Sequence, residues 1–301
     1  MRSDWSENET LLAFKCGPYL GHEALEKFDY DIGGGHVHPD VNHFVLVAYG
    51  RWLVVDDGYV DKMTCQHNTV LVNGRGQLGE GGVWFRGEEV IRDERKSAVI
   101  RAESNPIFDY VIGDAYNIYP DDLGLRKFLR HIIYLKPDIF IIVDELETEN
   151  PSTFQWLLHY EGELQKTAHD TFMLTNEDVE LMIKVVLPRE FKYDIYQQTA
   201  VRSEGQRTKT LPTLEISPMQ EANQTVFMVI LHPSKRGNQH PTVSEFESNG
   251  KMGLIIRDGD KTWKLLFDFA RPKRNDRIFE LLDEPEPVEA FYNFTGDLPP
   301  P

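Results

Sequence analysis

Turn signals recur about every 8 to 14 residues along this chain, and almost no helical apolar periodicity lies between them. The segments between the turns are short and rich in valine, isoleucine and aromatic residues. The runs 43–49, 52–55, 69–72, 98–102, 132–135 and 139–143 are followed by 153–159, 181–187, 225–231, 254–257 and 263–267. Tyr49-Gly50-Arg51, Asn73-Gly74, Lys136-Pro137-Asp138 and Asp258-Gly259-Asp260 mark hairpin turns between or after them. This pattern predicts an all-β fold: a large antiparallel sandwich of two stacked sheets with few short helices. The helical candidates are 23–28 and 6–13, the second of which reads equally well as a strand. The polar stretch 202–213 reads as a long exposed loop. There is no internal repeat, so residues 1–283 are expected to form one continuous sandwich, and the Pro- and acid-rich segment 284–301 a loosely attached tail.

The chain has 301 residues and a net charge of −17 at pH 7. Its length leaves ample room for a core, and its hydrophobic content is that of a folded protein. The charge argues against duplex nucleic acid or an anionic membrane as partner, since both require a basic footprint. It leaves room for an acidic ligand, because a local cationic groove can outweigh the global charge. No apolar run reaches the length of a membrane span, and Asp4, Glu7, Asn8 and Glu9 break up the N-terminal stretch, so no signal peptide is read there. Cys16 and Cys65 lie outside any CxxC pattern, which excludes a disulfide scaffold and a thiolate zinc site and predicts two buried free thiols.

The densest chemical signal is Gly33-Gly34-Gly35-His36-Val37-His38-Pro39-Asp40. On a strand, His36 and His38 would point to one face, and Asp40 would continue the register. Asp56-Asp57-Gly58 closes a later strand, and Gln66-His67-Asn68-Thr69 opens another. Imidazoles and a carboxylate gathered on neighbouring strands would suit Zn²⁺; hydrogen-bonded structural histidines are the other reading of so short a pattern. A cupin would place a glutamate where Asn42, His43 and Phe44 stand. An iron site built on His38-Pro39-Asp40 lacks a compelling later His-and-Arg pairing. A GxSxG motif is absent.

The string GGGHVHPDVNHFVLVAYGRWLVVDDGY, followed by HNTVLVNGRGQ, closely resembles the C-terminal β-domain of heparinase II/III-type polysaccharide lyases. Met1-Arg2-Ser3-Asp4-Trp5, Arg130-His131-Ile132-Ile133-Tyr134-Leu135-Lys136-Pro137, Ile142-Val143-Asp144 and Trp156-Leu157-Leu158-His159 fit in order. The likeness is strongest over residues 1–160 and fades toward 270. It implies a zinc ion held by His38, Asp56 and His67, with Asp57 a rival to Asp56. It implies that His36 faces the cleft as a catalytic histidine. Asp40, Asn68 and Gln77 would then support the site or face substrate.

In that family a helical (α/α) toroid precedes the β-domain and supplies a catalytic tyrosine. This chain shows no counterpart of it, so the toroid is expected on the same parent chain or on another, and the chain alone is expected to be incomplete or inactive. Tyr116 and Tyr119 read as structural or rim residues. The implied reaction is β-elimination at a uronic acid, with a polysaccharide substrate and a periplasmic or secreted location. A non-catalytic carbohydrate-binding or assembly sandwich that keeps the metal site is the alternative.

Two basic clusters, Arg86, Arg92, Arg95, Lys96 and Arg271, Lys273, Arg274, Arg277, could line a polyanion track or form a solvated, acid-paired surface. Trp52 and Trp156, on strands, are expected in the core. Trp84, after Gly81-Gly82, is expected in a loop where it could stack on a sugar together with Arg86.

Overall fold

The computed structural model describes residues 1–19, 21, 27, 36–56, 62–81, 95, 97–200 and 209–283. In chain order the strands are β1 Thr10–Lys15, β2 His43–Ala48, β3 Arg51–Val54, β4 Val70–Val72, β5 Ala98–Ser104, β6 Phe108–Asp114 and β7 Leu125–Leu135. Next come β8 Ile139–Ser152, β9 Phe154–His159, β10 Glu163–Ala168, β11 Thr171–Asn176, β12 Val179–Leu187 and β13 Phe191–Ala200. The last are β14 Lys209–Pro218, β15 Ala222–Lys235, β16 Thr242–Ser248, β17 Lys251–Asp258, β18 Lys261–Phe267 and β19 Phe279–Asp283. The helical turns lying wholly among the described residues are three 3₁₀ turns, Thr64–Gln66, Tyr116–Ile118 and Asp121–Leu123. Of the two helical candidates, 6–13 resolves into the start of β1, and 23–28 falls largely outside the described residues.

The all-β antiparallel expectation is met, and the strands of the described residues group in four hydrogen-bonded sheets instead of two. A central eight-stranded sheet runs β10-β11-β12-β15-β8-β7-β6-β5. Three smaller sheets, β1-β2-β3, β13-β14-β9-β4 and β16-β17-β18-β19, complete the fold.

The central sheet is buried on both faces. Along β7 and β8, Ile132, Tyr134, Phe140 and Ile142 join a core with Phe44 and Leu46 of β2 and Trp156 of β9. Their neighbours Ile133, Leu135, Ile141 and Val143 join a second core with Leu254, Ile256, Trp263 and Leu265 of the last sheet. Alternate side chains point to opposite faces, so covering both faces requires apolar residues at consecutive positions. That is why Ile132–Leu135 and Ile139–Val143 read as unbroken apolar runs.

Hairpins close where the sequence marks them. Asn73 and Gly74 have φ of 53° and 72°, and Asn249 and Gly250 have φ of 53° and 72°. Paired positive φ values suit the twist of a two-residue hairpin, which selects Asn-Gly. The expected loop 202–213 is shorter than its polarity suggested, since residues from Lys209 onward belong to β14, paired with both β13 and β9. Its alternation of Leu211, Thr213 and neighbours supplies one buried face. Residues 202–208 and the tail 284–301 lie outside the described residues.

Candidate functional site

His38, Asp56 and His67 form a row of contacts built from three irregular segments at the ends of β2, β3 and β4, with His67 between the other two. The segment 36–42 is not a strand: β2 begins only at His43, His36 is exposed, and His38 and Asp40 are buried. The two histidines therefore do not share a strand face. Strand pairing is replaced here by one side chain. Gln77 accepts the Val41 N–H at 2.9 Å and donates to the Val41 carbonyl at 2.8 Å, while the Thr69 hydroxyl donates to that carbonyl at 3.1 Å. The segment that carries His38 is thereby sewn to the one that carries His67.

His67 follows the 3₁₀ turn Thr64–Gln66, and its N–H donates to the Thr64 carbonyl at 3.1 Å. Asp56 follows β3, whose neighbour Val55 donates its N–H to the His159 carbonyl at 3.0 Å. His67 is the middle member of the group. Its Nε2 lies 3.3 Å from His38 Nδ1, and its Nδ1 lies 3.0 Å from Asp56 Oδ2.

A fourth residue joins them. His43 Nε2 is 3.3 Å from Asp56 Oδ2, and ligand atoms of His43, Asp56 and His67 all lie within 4.8 Å of one another. The local hydrogen bonding fixes what His43 can do. The Asn68 N–H donates to His43 Nδ1 at 2.9 Å, so in the neutral ring Nε2 carries the proton and must donate. It donates to Asp56. His43 thus orients the carboxylate, and the imidazole lone pairs left for a cation belong to His38 and His67.

The electrostatics fit a cation-binding group. Burial and neighbouring His67 bring the His38 pKa down to about 4, and burial also lowers that of His43, so both rings are neutral at pH 7. For Asp56, burial opposes ionisation, but the hydrogen bonds from His43 and His67 outweigh it and hold the carboxyl well below its usual range. Neutral imidazoles beside an ionised carboxylate form the donor set that Zn²⁺ takes. The 3.3 Å between His38 Nδ1 and His67 Nε2 also matches two ligands of one tetrahedral ion with bonds of about 2.0–2.1 Å.

His159 lies fully buried alongside. The Thr213 hydroxyl donates to the Leu211 carbonyl, so it accepts from His159 Nδ1 at 2.7 Å, leaving His159 Nε2 buried as a lone pair with no hydrogen-bond partner.

Behind the site stands Arg130 of β7, fully buried. Its guanidinium makes two bonds to Asp144, at 2.7 and 2.5 Å, and Nη1 donates to the carbonyls of Asn42 at 2.5 Å and Asn68 at 2.6 Å. Asn68 is a second hub. Its side-chain amide donates to the carbonyls of Phe44 and Val55 at 2.8 and 2.7 Å and accepts the His159 N–H at 2.6 Å. Asn68 and Gln77 therefore spend their hydrogen bonds on the backbone of the segments that bear His38, Asp56 and His67. Asp40 is held by Lys15 Nζ at 2.6 Å.

The family model described as "Heparinase II/III-like, C-terminal" matches residues 2–240. The chain belongs to this family. Its fold is similar to that of a heparinase III structure, at 15% identity and a TM-score of 0.65, and of the heparan sulfate lyase HepC from Pedobacter heparinus, at 18% identity and a TM-score of 0.65. In each case the likeness covers 88% of this chain but 40% of the other.

On the surface of this heparinase II/III-like domain, a cavity of about 730 Å³ opens beside Asp56, lined among others by Trp52, Tyr160, Glu161 and Leu211. Trp52 is 52% exposed, contrary to the expectation that it is core. On β3 the neighbouring Leu53 takes the inward position, so Trp52 is turned out toward the cavity. Trp156 is buried as expected, in the core beneath.

Arg95, Arg271, Arg274 and Arg277 are each paired with an acid rather than gathered into a track. Arg95 bonds Asp121 at 2.7 Å, Arg274 bonds Asp114 at 3.0 Å, and the buried Arg271 bonds Glu145. Tyr119 is buried, with its hydroxyl donating to the Val70 carbonyl at 2.5 Å, and the Arg274 guanidinium lies 4.5 Å from the ring of half-buried Tyr116. Cys16 and Cys65 form no disulfide and are half-buried rather than buried as expected. Among the described residues no helix is long and apolar enough to cross a membrane. Asp57, Trp84, Arg86, Arg92 and Lys96 lie outside the described residues.

Inspection of the sequence missed His43, His159 and Arg130 as parts of this site. The available signal was modest: each is a polar residue inside or beside an apolar strand run, where burial demands a partner.

Proposed function

We propose that this chain is the zinc-bearing β-domain of a polysaccharide lyase that cleaves uronate-containing polysaccharides by β-elimination, acting with a helical domain on the same parent chain or on another. The observation that carries this reading is the cluster of His43, Asp56 and His67, whose ligand atoms lie within 4.8 Å of one another, with His38 against His67 and the exposed His36 two residues before His38. Heparan-type glycosaminoglycans are the leading substrate class, since the structural relatives named above include a heparan sulfate lyase. Catalysis at a periplasmic or extracellular location follows from the same resemblance.

Zn²⁺ would be held by His38, His67 and Asp56, with His43 orienting the carboxylate. When bound, the ion supplies a fixed positive charge that locks three irregular segments together. His36 stands on that rigid shelf, exposed, and takes the C5 proton of the uronate as general base. The substrate carboxylate must be neutralised or hydrogen-bonded as charge develops, and an acid must protonate the leaving oxygen at C4. Trp52 offers an aromatic face to a sugar ring at the cavity beside Asp56.

Zinc content measured by elemental analysis is the direct test. His67→Ala is expected to lose this ion and to lower stability by about 3–4 kcal/mol at zinc concentrations of 100–1,000 times Kd. An unchanged melting temperature with and without chelator would overturn the ligand role. Trp52→Ala is expected to raise KM by roughly 3–10-fold with little change in kcat, the size of a single stacking contact. The alternative, binding without chemistry, draws on the same cavity and exposed tryptophan. It predicts retention of polysaccharide on the chain with no unsaturated product from any complete assembly.

A further inference from the structure

A second group of ligand-type side chains lies away from the site above, where the central sheet meets the last one. Leu231 of β15 pairs with Phe140 of β8, so the next residue of β15, His232, is carried to the β7–β8 turn, where Asp138 sits. Asp258 arrives from the other side, at the end of β17, paired with Lys261 across its own hairpin turn. One ligand atom from each of Asp138, His232 and Asp258 lies within 4.8 Å of the other two. His232 is almost wholly buried, at 3% exposure, and its Nε2 is 3.7 Å from Asp138 Oδ1.

Two features show that the group lacks a partner. Asp138 Oδ1 is buried and accepts no hydrogen bond, a costly state for a carboxylate oxygen. Lys261, the cation whose charge acts on Asp138, makes no ion pair with it, and among the described residues no lysine or arginine pairs with Asp138 or Asp258. Two acidic side chains thus converge on a buried imidazole without an ion pair to a lysine or arginine among the described residues.

The far side of the imidazole is prepared as well. His232 Nδ1 lies 2.9 Å from His240 Nδ1, and His240 Nε2 is 3.9 Å from Glu180 Oε2. If His232 Nδ1 donates to His240, its Nε2 presents a lone pair toward the two carboxylates, and His240 in turn directs its Nε2–H toward Glu180. A metal-binding histidine is oriented in this way by a partner on its second nitrogen.

We infer that Asp138, His232 and Asp258 form a second divalent-metal site, suited to zinc, that ties the β7–β8 hairpin to the β17–β18 hairpin. One nitrogen and two carboxylate oxygens neutralise a divalent ion and leave a position for water. Bonds of about 2.0–2.2 Å set ligands about 3.3–3.6 Å apart, close to the 3.7 Å already found between His232 and Asp138. The role is that of a pin between two sheets. Asp138 and His232 lie within the residues that the family model matches, and Asp258 lies beyond residue 240, where the match ends.

The test is zinc stoichiometry on the full chain, stripped with chelator, reloaded with Zn²⁺ alone and measured by elemental analysis and calorimetric titration. Wild type is expected to hold two ions. Asp258→Asn, an isosteric change at an accessible turn, and His232→Ala are each expected to hold one, and His67→Ala is expected to lose the other. Asp258→Asn keeps the test decisive if His232→Ala fails to fold. Wild-type stoichiometry retained in Asp258→Asn would overturn the inference. A single ion lost in Asp258→Asn but kept in His67→Ala would uphold this site and refute the zinc reading of the first.

Discussion

In the complete lyase assembly, His36→Ala is expected to lower kcat for unsaturated-uronate formation by about 10²–10⁴, the usual contribution of a general base, while zinc content stays at the wild-type level. The separation follows from placement. His36 is exposed, whereas His38 is buried against His67 at 3.3 Å. His38→Ala is therefore expected to lose both zinc and activity. Absorbance of the unsaturated product, followed on heparan-type, alginate, hyaluronan and ulvan substrates, reads the rate. Normal turnover by His36→Ala would remove this histidine from the mechanism. Robust turnover by the 301-residue chain alone would show that no helical partner is needed.

Arg130→Met is expected to destabilise the fold by about 3–5 kcal/mol, the cost of leaving one member of a buried ion pair without the other. Asp144 would keep its burial and lose both bonds to the guanidinium, and the carbonyls of Asn42 and Asn68 would lose a shared donor. Urea unfolding followed by tryptophan fluorescence measures the loss. Arg130→Lys is expected to rescue little, because an ammonium cannot present the planar fork that reaches Asp144 and both carbonyls at once. The double variant Arg130→Met/Asp144→Leu is expected to recover much of the stability, since a buried pair replaced by apolar groups is often neutral. It should still bind zinc more weakly, because the clamp on the segments bearing His43 and His67 is gone. Wild-type stability in Arg130→Met would show that the clamp contributes nothing.

The strands were legible because their information is local. Side-chain alternation, β-branched composition and Asn-Gly turns act over a few residues, and the runs 43–49, 132–135, 139–143 and 263–267 each became a strand or part of one. The resemblance carried by GGGHVHPD and HNTVLVNGRGQ was enough to place the chain in its family, and it pointed to the side chains that meet at His67. What failed were inferences that treated a local pattern as a strand or a core position. His36 and His38 read as sharing one strand face, but Gln77 holds their segment in an irregular path. Trp52 reads as a core residue, but the inward position on β3 belongs to Leu53.

The remaining features depend on which distant segments meet, and no spacing encodes that. His43 became the partner of Asp56 because the Asn68 N–H fixes its tautomer. Arg130 became a clamp because the central sheet passes behind the loops that end in Asn42 and Asn68. Asp138, His232 and Asp258 converge because β15 and β8 are in register while another sheet packs across their end. Sequence by itself determined the β fold class, the turn positions and the family, since each rests on short-range patterning. Tertiary structure alone decided the partners of each buried polar group, because a donor or acceptor removed from water must be satisfied by whatever the fold brings to it.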